Sequence, residues 1–258
     1  MAMALAEAGA RAVYCVDQGP EPSYEWKATR EHLQRLEPLD RPMPSTGEKS
    51  KAGGWEPPRL EYISADVRDQ ALILSIGESI GARECRLDVC VAAAGIPSTH
   101  TGCLSYPSSE FRRVLDVNAA GTLFTAQAAG RQMKKFGNGG SIVLVASMSG
   151  SITNRGHKWV AYNASKAAVL QMARSMACEL ARDAIRVNSL SPGYMYTNMS
   201  AAELETTPQL LDQWSELTPM GRIGRPDELR GVVTWLASDA SSYCTGSDIL
   251  VAGGHQAW

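Results

Sequence analysis

The sequence contains no long apolar run and no marked excess of one charge. No uncharged apolar stretch approaches the roughly 18 residues of a membrane-spanning helix, and no signal-peptide pattern is recognisable. The formal net charge is −2, from 25 Lys and Arg against 27 Asp and Glu. This balance offers no basis for binding nucleic acid or an anionic membrane. We therefore expect a cytoplasmic protein that binds neither nucleic acid nor membranes.

Metal-binding and disulfide patterns are also missing. The six cysteines never occur as C-x-x-C, and they lie in or beside apolar segments. We expect reduced, mostly buried thiols, as is usual in the cytosol. The four histidines are scattered, without the short spacing of metal ligands. The pattern therefore predicts no catalytic zinc and no other metal site.

Apolar segments alternate between strand-like and helix-like lengths along the whole chain. The strand-like ones are continuous apolar runs, which is typical of a parallel sheet covered by helices on both faces. We predict one α/β domain over residues 1–258, a doubly wound, three-layer αβα fold of Rossmann type. The predicted strands are residues 12–16, 61–65, 87–92, 141–146, 185–190 and 247–251.

Two segments interrupt this alternation. Residues 37–60 contain five prolines and three glycines, and we predict a long exposed loop there. The simpler interpretation is a neutral insertion, the alternative a partner-binding loop in which Trp55 docks. Residues 194–222 are irregular, with one short helix near 207–217, and would suit a lid over a substrate.

The residues around which the chain is organised lie at 141–166. An apolar strand leads to Ser147, and Tyr162 and Lys166 follow on a helix, one turn apart on the same face. A hydroxyl, a phenol and an ammonium that meet at one point suit proton transfer to an alcohol or carbonyl oxygen. By spacing alone, the simpler interpretation is that the tyrosine and lysine are two residues on a helix surface.

Polar or glycine residues follow several predicted strands directly. In a parallel sheet, ligands bind beyond the carboxyl ends of the strands. This shared location favours a functional interpretation of Ser147, Tyr162 and Lys166. The residues at the strand ends are Asp17, Asp66, Gly95, Ser147 and Pro192-Gly193.

Asn118 falls on the apolar face of a long predicted helix. That helix begins at a cap formed by Ser108 or Ser109 and extends to about Lys135. A buried amide without partners costs a few kcal/mol. Asn118 is therefore either bonded to nearby backbone or part of a site.

With these residues in place, the sequence resembles the short-chain dehydrogenase/reductase family. The resemblance extends from Met1 to about Gly254. It is strongest from Ser147 to Lys166 and in SLSPGYMYT at 189–197, and TGSDILVAGG at 245–254 looks like the closing strand of the family. The segment 147–166 looks most like the polyol, ketose and carbonyl reductases.

The resemblance implies a role for each residue of the central segment. Tyr162 would be the general acid/base, and Lys166 would lower its pKa and bind the nicotinamide ribose. Ser147 would hold the substrate oxygen, with Ser149 as the competing choice. Asn118 matches the asparagine that orders a proton-relay water in the family.

The resemblance also implies where a dinucleotide would bind. Asp17 would accept hydrogen bonds from the adenosine ribose and repel a 2′-phosphate, so NAD(H) is favoured over NADP(H). Asp66 and Val67 match the adenine contact. The remaining contacts would come from Ala94 and Gly95, from Tyr162 and Lys166, and from the nicotinamide loop with Pro192, Gly193, Met195 and Thr197.

The chain departs from the family pattern in two places. The family's Asn-Asn-Ala-Gly is replaced by Ala92-Ala93-Ala94-Gly95, which keeps the backbone contacts and loses side-chain bonds. The family's first strand and its glycine-rich turn, T-G-x-x-x-G-x-G, are not found in the sequence. We therefore expect either a truncated form of a longer enzyme or a variant with impaired cofactor binding.

Two functions remain open on the sequence. The first is an oxidoreductase that transfers a hydride between NAD(H) and a secondary alcohol or ketone, such as a sugar alcohol or ketose. The second is a non-catalytic binding or scaffold protein that keeps the same fold. In either case the resemblance implies a homodimer or homotetramer, formed through the helices predicted at 108–135 and 160–181.

Overall fold

The computed structural model describes residues 1–36 and 56–257. The chain divides into two compact units, Met1–Ser64 and Ala65–Trp258. Most of the predicted loop 37–60, with Trp55, lies outside the described residues. The prediction of one domain over the whole chain stays a prediction.

In its described residues, 1–36 and 56–64, the first unit contains two helices and a two-stranded sheet. Strands β1 and β2 run parallel, with Ala12 opposite Arg59 and Asp17 opposite Ser64. Asp17 therefore ends its strand, as predicted. In chain order the elements are α1 (Ala2–Glu7), β1 (Ala12–Asp17), α2 (Tyr24–Gln34) and β2 (Arg59–Ser64).

Local signals in the sequence account for the second helix of this unit. Ser23 caps α2, because its hydroxyl accepts a hydrogen bond from the backbone N–H of Trp26 at 3.3 Å. The helix then contributes Leu33 to a buried cluster with Ala6 and Leu60. Burial of these apolar side chains stabilises the unit.

The second unit is built on a four-stranded parallel sheet. Ala92 lies opposite Leu144, and Val145 lies opposite Leu190, so these strands end at one edge of the sheet. The predicted parallel α/β fold is confirmed, whereas the missing first strand stays a prediction. In spatial order the strands are β3 (Val89–Ala92), β4 (Gly140–Val145), β5 (Ile185–Pro192) and β6 (Asp248–Val251).

Helices cover both faces of this sheet. Ile142, Val143 and Leu144 follow one another on β4, and each has 0% of its surface exposed. Successive strand residues point to opposite faces, so both faces are buried. The helices are α3 (Gln70–Glu84), α4 (Ser108–Leu115), α5 (Thr122–Phe136), α6 (Val160–Leu180), α7 (Asn198–Thr206), α8 (Gln209–Glu216) and α9 (Arg230–Ala237).

The long helix predicted from Ser108 to Lys135 is interrupted, and its predicted serine cap is wrong. The residue at the cap position is Pro107, which supplies no side-chain hydrogen bond. Between α4 and α5, residues Asp116–Gly121 form a π-helical turn that contains Asn118. Such turns are rare and often mark functional sites, and the apolar spacing of the sequence does not reveal this one.

The predicted lid, residues 194–222, is more regular than expected. It contains two helices, α7 and α8, where the sequence predicted one. Its buried anchors are Leu204 on α7 and Trp214 on α8, which pack with Ile223. The apolar cluster fixes the two helices to the rest of the second unit.

The cysteines are free, but the prediction of mostly buried thiols is wrong. Cys90 is buried, whereas Cys85, Cys103 and Cys178 are exposed. Among the residues described, no helix combines the length and the apolar character needed to cross a membrane.

Candidate active site

The structure brings together the three side chains predicted from residues 141–166. Tyr162 and Lys166 lie on the first turns of α6, with the Lys166 Nζ 5.7 Å from the centroid of the tyrosine ring. Ser147 follows the end of β4, and its hydroxyl is hydrogen-bonded to the Tyr162 side chain. Of the two candidate serines, Ser147 is thus the one placed against the phenol. Its Oγ also accepts a hydrogen bond from the backbone N–H of Ser149 at 3.1 Å.

Lys166 carries the charge among these three side chains, and it is buried, with 3% of its surface exposed. Its Nζ donates to the carbonyl oxygen of Val145 at 2.9 Å. Burial lowers the pKa of Lys166 to about 8. Because an ammonium has three N–H donors, Lys166 can also donate to a bound ligand.

The predicted lowering of the Tyr162 pKa by Lys166 stays a prediction. Burial raises the pKa of the phenol, and the hydrogen bond from Ser147 opposes that shift only in part. The Lys166 ammonium lies 5.7 Å from the centroid of the Tyr162 ring while it donates to the Val145 carbonyl.

Asn118 is buried, and its amide is fully engaged. Its Oδ1 accepts from the backbone N–H of Ile96 at 2.8 Å, and its Nδ2 donates to the Ile96 carbonyl at 3.0 Å. The Nδ2 also donates to Ser165 Oγ at 3.0 Å, and Ser165 in turn donates to the Tyr162 carbonyl at 2.7 Å. The amide thus ties the π-helical turn to the helix that carries Tyr162.

Ser165 is a residue that sequence reasoning missed. Its only sequence signal is its place three residues after Tyr162, within the segment already singled out. We name Asn118, Ser147, Tyr162 and Lys166, with Ser165, the tyrosine cluster.

Gly95 lies directly against this cluster. A Cβ atom at this position would be 3.5 Å from both Asn118 Oδ1 and Lys166 Nζ. Ala94, the residue before it, is half-buried. The glycine leaves room beside the ammonium, which suits the approach of a ligand to Lys166.

The predicted nicotinamide loop leaves the sheet at the end of β5, where Pro192 is the last residue. Gly193 donates its backbone N–H to the Val251 carbonyl at 2.9 Å. Met195 forms an isolated bridge with Gly224. The loop is therefore held by backbone contacts on its way to α7.

Thr197 caps α7. Its hydroxyl accepts from the backbone N–H of Ser200 at 3.3 Å, while the Ser200 hydroxyl accepts from the Thr197 N–H at 2.8 Å. This reciprocal capping box fixes the start of the helix. A structural role thus accompanies the predicted contact of Thr197 with the cofactor.

Asp66 and Val67, the predicted adenine contacts, lie at the start of the second unit. The Asp66 carboxylate forms an ion pair with Arg68, which holds the pKa of Asp66 below its ordinary value. Val67 packs against Gly121, where a Cβ would come within 2.6 Å of its Cγ2. A cleft of about 630 Å³ opens here, lined by Asp66, Arg68, Asp69, Asp116, Ala120 and Phe124.

Asp17 is exposed at the end of β1 in the first unit. Its Oδ1 accepts a hydrogen bond from the backbone N–H of Gln18 at 2.7 Å. The second carboxylate oxygen leaves further acceptor capacity, which fits the predicted contact with ribose hydroxyls.

A second group of titratable side chains lies in the same unit as the tyrosine cluster. The histidine cluster consists of His100, His157 and Glu203, whose potential ligand atoms lie within 4.8 Å of one another. The Trp159 ring lies between the two clusters, 4.0 Å from the His157 ring and 6.1 Å from the Tyr162 ring. The sequence offers no signal for this group, because its members are 57 and 46 positions apart along the chain.

The expectation of no metal site rested on such spacing, which cannot detect ligands brought together from distant segments. It stays untested.

The chain is similar to a known protein family and to individual relatives. A family described as enoyl-(acyl carrier protein) reductase matches residues 48–256. Sorbose reductase of Schizosaccharomyces pombe is 46% identical over 185 residues, which are 72% of this chain and 71% of the relative. The NADP-dependent mannitol dehydrogenase of Hypocrea jecorina is 42% identical, over 66% of this chain and 62% of the relative.

A solved structure extends the similarity over almost the whole chain. A short-chain type dehydrogenase/reductase from Mycobacterium marinum superposes with a TM-score of 0.82 at 36% identity, covering 98% of this chain and 89% of that one. The chain therefore belongs to the short-chain dehydrogenase/reductase family, and the resemblance inferred from the sequence is confirmed. The named relatives act on a ketose and on a sugar alcohol, in line with the predicted subgroup.

Proposed function

We propose that the protein is an oxidoreductase that transfers a hydride between NAD(H) and a secondary alcohol or ketone, with sugar alcohols and ketoses as its substrates. The observation that carries the proposal is the hydrogen bond between Ser147 and Tyr162 beside the buried ammonium of Lys166. The names of the relatives support the substrate class.

Each member of the tyrosine cluster has a distinct task in ketone reduction. The Tyr162 hydroxyl gives its proton to the carbonyl oxygen, which becomes the alcohol oxygen, and takes a proton back in the reverse reaction. Ser147 donates a hydrogen bond to the same oxygen as negative charge develops on it. Asn118 keeps α6 in place through Ser165.

The residues present fit a nicotinamide cofactor, which would supply or accept the hydride at the substrate carbon. The Lys166 ammonium has donors to spare and would hold ribose hydroxyls. Gly95 leaves the space beside it open, and the loop with Pro192, Gly193, Met195 and Thr197 would enclose the nicotinamide. Asp66 and Val67 would contact the adenine, and Ala94 would contact the cofactor beside Gly95.

The preference for NAD(H) over NADP(H) rests on Asp17. An exposed carboxylate at the end of β1 would accept bonds from ribose hydroxyls and repel a 2′-phosphate. One relative is named as NADP-dependent, so the family alone does not decide the matter. Replacing Asp17 by Ser removes the charge but keeps a polar side chain.

Fluorescence titrations with NADH and NADPH test both parts of the proposal. The chain should bind NADH more tightly than NADPH, and Asp17→Ser should narrow the difference about tenfold or more, the effect of 1.4 kcal/mol. If the ratio of NADH to NADPH affinity is the same in the wild type and in Asp17→Ser, the proposed role of Asp17 is refuted. If neither cofactor binds saturably, the chain is not an oxidoreductase and the binding or scaffold function takes precedence.

Steady-state assays with ketohexoses, hexitols and simple ketones address the substrate class. The Trp159 ring lies 6.1 Å from that of Tyr162, Tyr194 stacks on Trp214, and Asn154 donates to the Tyr194 hydroxyl at 3.2 Å. Mixed aromatic and amide groups suit polyhydroxylated substrates. Faster turnover of simple ketones than of any ketose would exclude the sugar assignment.

We also propose that the protein is a homodimer or homotetramer formed through α4, α5 and α6. The small apolar residues Ala164, Ala167 and Ala168 are exposed on α6, and close helix packing would bury them. Sedimentation velocity checks this proposal, and a monomer would contradict it. The free cysteines fit a reducing compartment, and the cytoplasm stays our prediction for its location.

A further inference from the structure

The histidine cluster joins three segments that are distant in the sequence. His100 lies in the loop after β3, His157 in the loop before α6, and Glu203 on α7. One imidazole nitrogen from each histidine and one carboxylate oxygen lie within 4.8 Å of one another. Two imidazoles and a carboxylate are a common ligand set for a transition metal.

The hydrogen bonding at His100 is inconsistent. Its Nε2 lies 3.1 Å from the indole donor Nε1 of Trp159 and 3.0 Å from Oε1 of Glu203. One ring nitrogen cannot accept a proton from the indole and donate one to the carboxylate at the same time. Glu203 Oε1 is buried and lacks a hydrogen-bond partner, and this costs free energy. A cation between the two groups would remove the conflict.

His157 is held in a form that can bind a metal. Its ring stacks on Trp159, with centroids 4.0 Å apart and planes inclined by 23°. The Nε2 of His157 accepts a hydrogen bond from the indole Nε1 of Trp214 at 3.0 Å. A ring nitrogen that accepts carries a lone pair and no proton, and metals bind the neutral imidazole through such a nitrogen.

We propose that His100, His157 and Glu203 form a binding site for a divalent transition-metal ion such as Zn²⁺. Zinc lies about 2.0–2.2 Å from nitrogen and oxygen ligands, so ligand atoms that now lie up to 4.8 Å apart must approach by up to about 1.5 Å. The flexible side chain of Glu203 allows this movement. The ion takes the place of the indole donors at the ring nitrogens and leaves a fourth position for water.

Such an ion would fix α7 to two loops. One of these loops carries Trp159, whose ring lies 6.1 Å from that of Tyr162. The ion would therefore set the position of the predicted lid relative to the tyrosine cluster without contacting it. The site serves a positional role, distinct from a catalytic zinc.

Titration of the full chain with Co²⁺, followed by displacement with Zn²⁺, tests the proposal. We expect one ion per chain and visible d–d bands. A thiolate-to-cobalt charge-transfer band would instead place the ion on exposed cysteines such as Cys103 or Cys178, and would overturn the proposal. Mg²⁺ should not displace Co²⁺, because it prefers oxygen ligands; displacement would exclude a site with two imidazoles.

Variants then identify the ligands. Glu203→Gln and His157→Gln should each weaken Co²⁺ binding at least about tenfold. His255→Gln is the matched control, since His255 touches Tyr194, with ring centroids 5.3 Å apart, but lies outside the ligand set; it should keep the wild-type affinity. Unchanged affinity in Glu203→Gln, which preserves side-chain size and folding as checked by circular dichroism, would refute the site.

Discussion

The tyrosine cluster and the histidine cluster lie in the same unit, yet they differ in how their polar groups are matched. In the tyrosine cluster the hydrogen bonds are mutually compatible, as when Lys166 donates to Val145 and Asn118 to Ile96. In the histidine cluster, His100 faces a donor and a carboxylate with a single nitrogen. The first arrangement is consistent by itself, whereas the second becomes consistent when a cation is added.

The two clusters also differ in exposure. Lys166 and Asn118 are almost fully buried, with 3% and 0% of their surface exposed. The side chain of His100 is 49% exposed. Interactions in the buried cluster are therefore strong and weakly screened by salt, while those at His100 contribute little unless an ion joins them.

The largest effect should come from removing the Tyr162 hydroxyl. The hydroxyl of Tyr194, whose ring lies 6.3 Å from that of His157, provides the comparison near the histidine cluster. Tyr162→Phe should reduce kcat about 100- to 10,000-fold, the usual contribution of general acid/base catalysis, with NADH affinity nearly unchanged. Tyr194→Phe, which loses a hydroxyl bonded to Asn154, should change kcat/KM by less than about tenfold. Steady-state kinetics and NADH titration measure both. Retained turnover in Tyr162→Phe would refute the acid/base assignment.

The pH dependence of the free energy of unfolding should distinguish the buried Lys166 from the exposed Lys158. The pKa of Lys166 is about 8 in the folded protein, against an ordinary 10.5. Between these values the unfolded chain binds more protons, so the free energy of unfolding rises with pH through the window. The rise should be on the order of 3 kcal/mol, and Lys166→Met should abolish it.

Urea denaturation at several pH values checks this expectation. Lys158→Met serves as the control, because Lys158 is exposed in the loop that carries His157, and it should keep the wild-type rise. Equal pH dependence in the wild type and in Lys166→Met would mean that the lysine does not titrate in this window.

Smaller effects on stability and kcat should come from replacing two glycines by alanine, one in the turn after Ser147 and one in the loop before His157. A Cβ at Gly150 would lie 2.8 Å from the backbone carbonyl of Lys166. Gly150→Ala should therefore push the turn after Ser147 away from α6, costing about 1–3 kcal/mol of stability and lowering kcat. This contact explains why a glycine stands three residues after the serine.

Gly156, in the loop before His157, is the matched comparison. It has a φ of +83° and nothing within 4 Å of an added Cβ. Gly156→Ala should cost about 1–2 kcal/mol through backbone strain, with kcat of the folded enzyme preserved. Thermal unfolding and kcat measured together distinguish the variants, and a normal kcat in Gly150→Ala would show that the spacing of Ser147 and Tyr162 tolerates the shift.

Much of the tyrosine cluster is visible in the sequence because its signals are local. Tyr162 and Lys166 are one helical turn apart, and Ser147 and Gly95 follow apolar strands whose ends share an edge in a parallel sheet. The π-helical turn around Asn118 was not predictable, since it preserves the apolar spacing of an ordinary helix.

The sequence by itself determined the parallel α/β fold and the shared helix face of Tyr162 and Lys166, because periodicity and spacing encode them, and the resemblance of its motifs indicated the family. Only the tertiary structure decided which serine meets the phenol, that burial raises the pKa of Tyr162, and that His100, His157 and Glu203 meet. Those outcomes depend on contacts between segments far apart in the chain, and on the loss of water that burial brings.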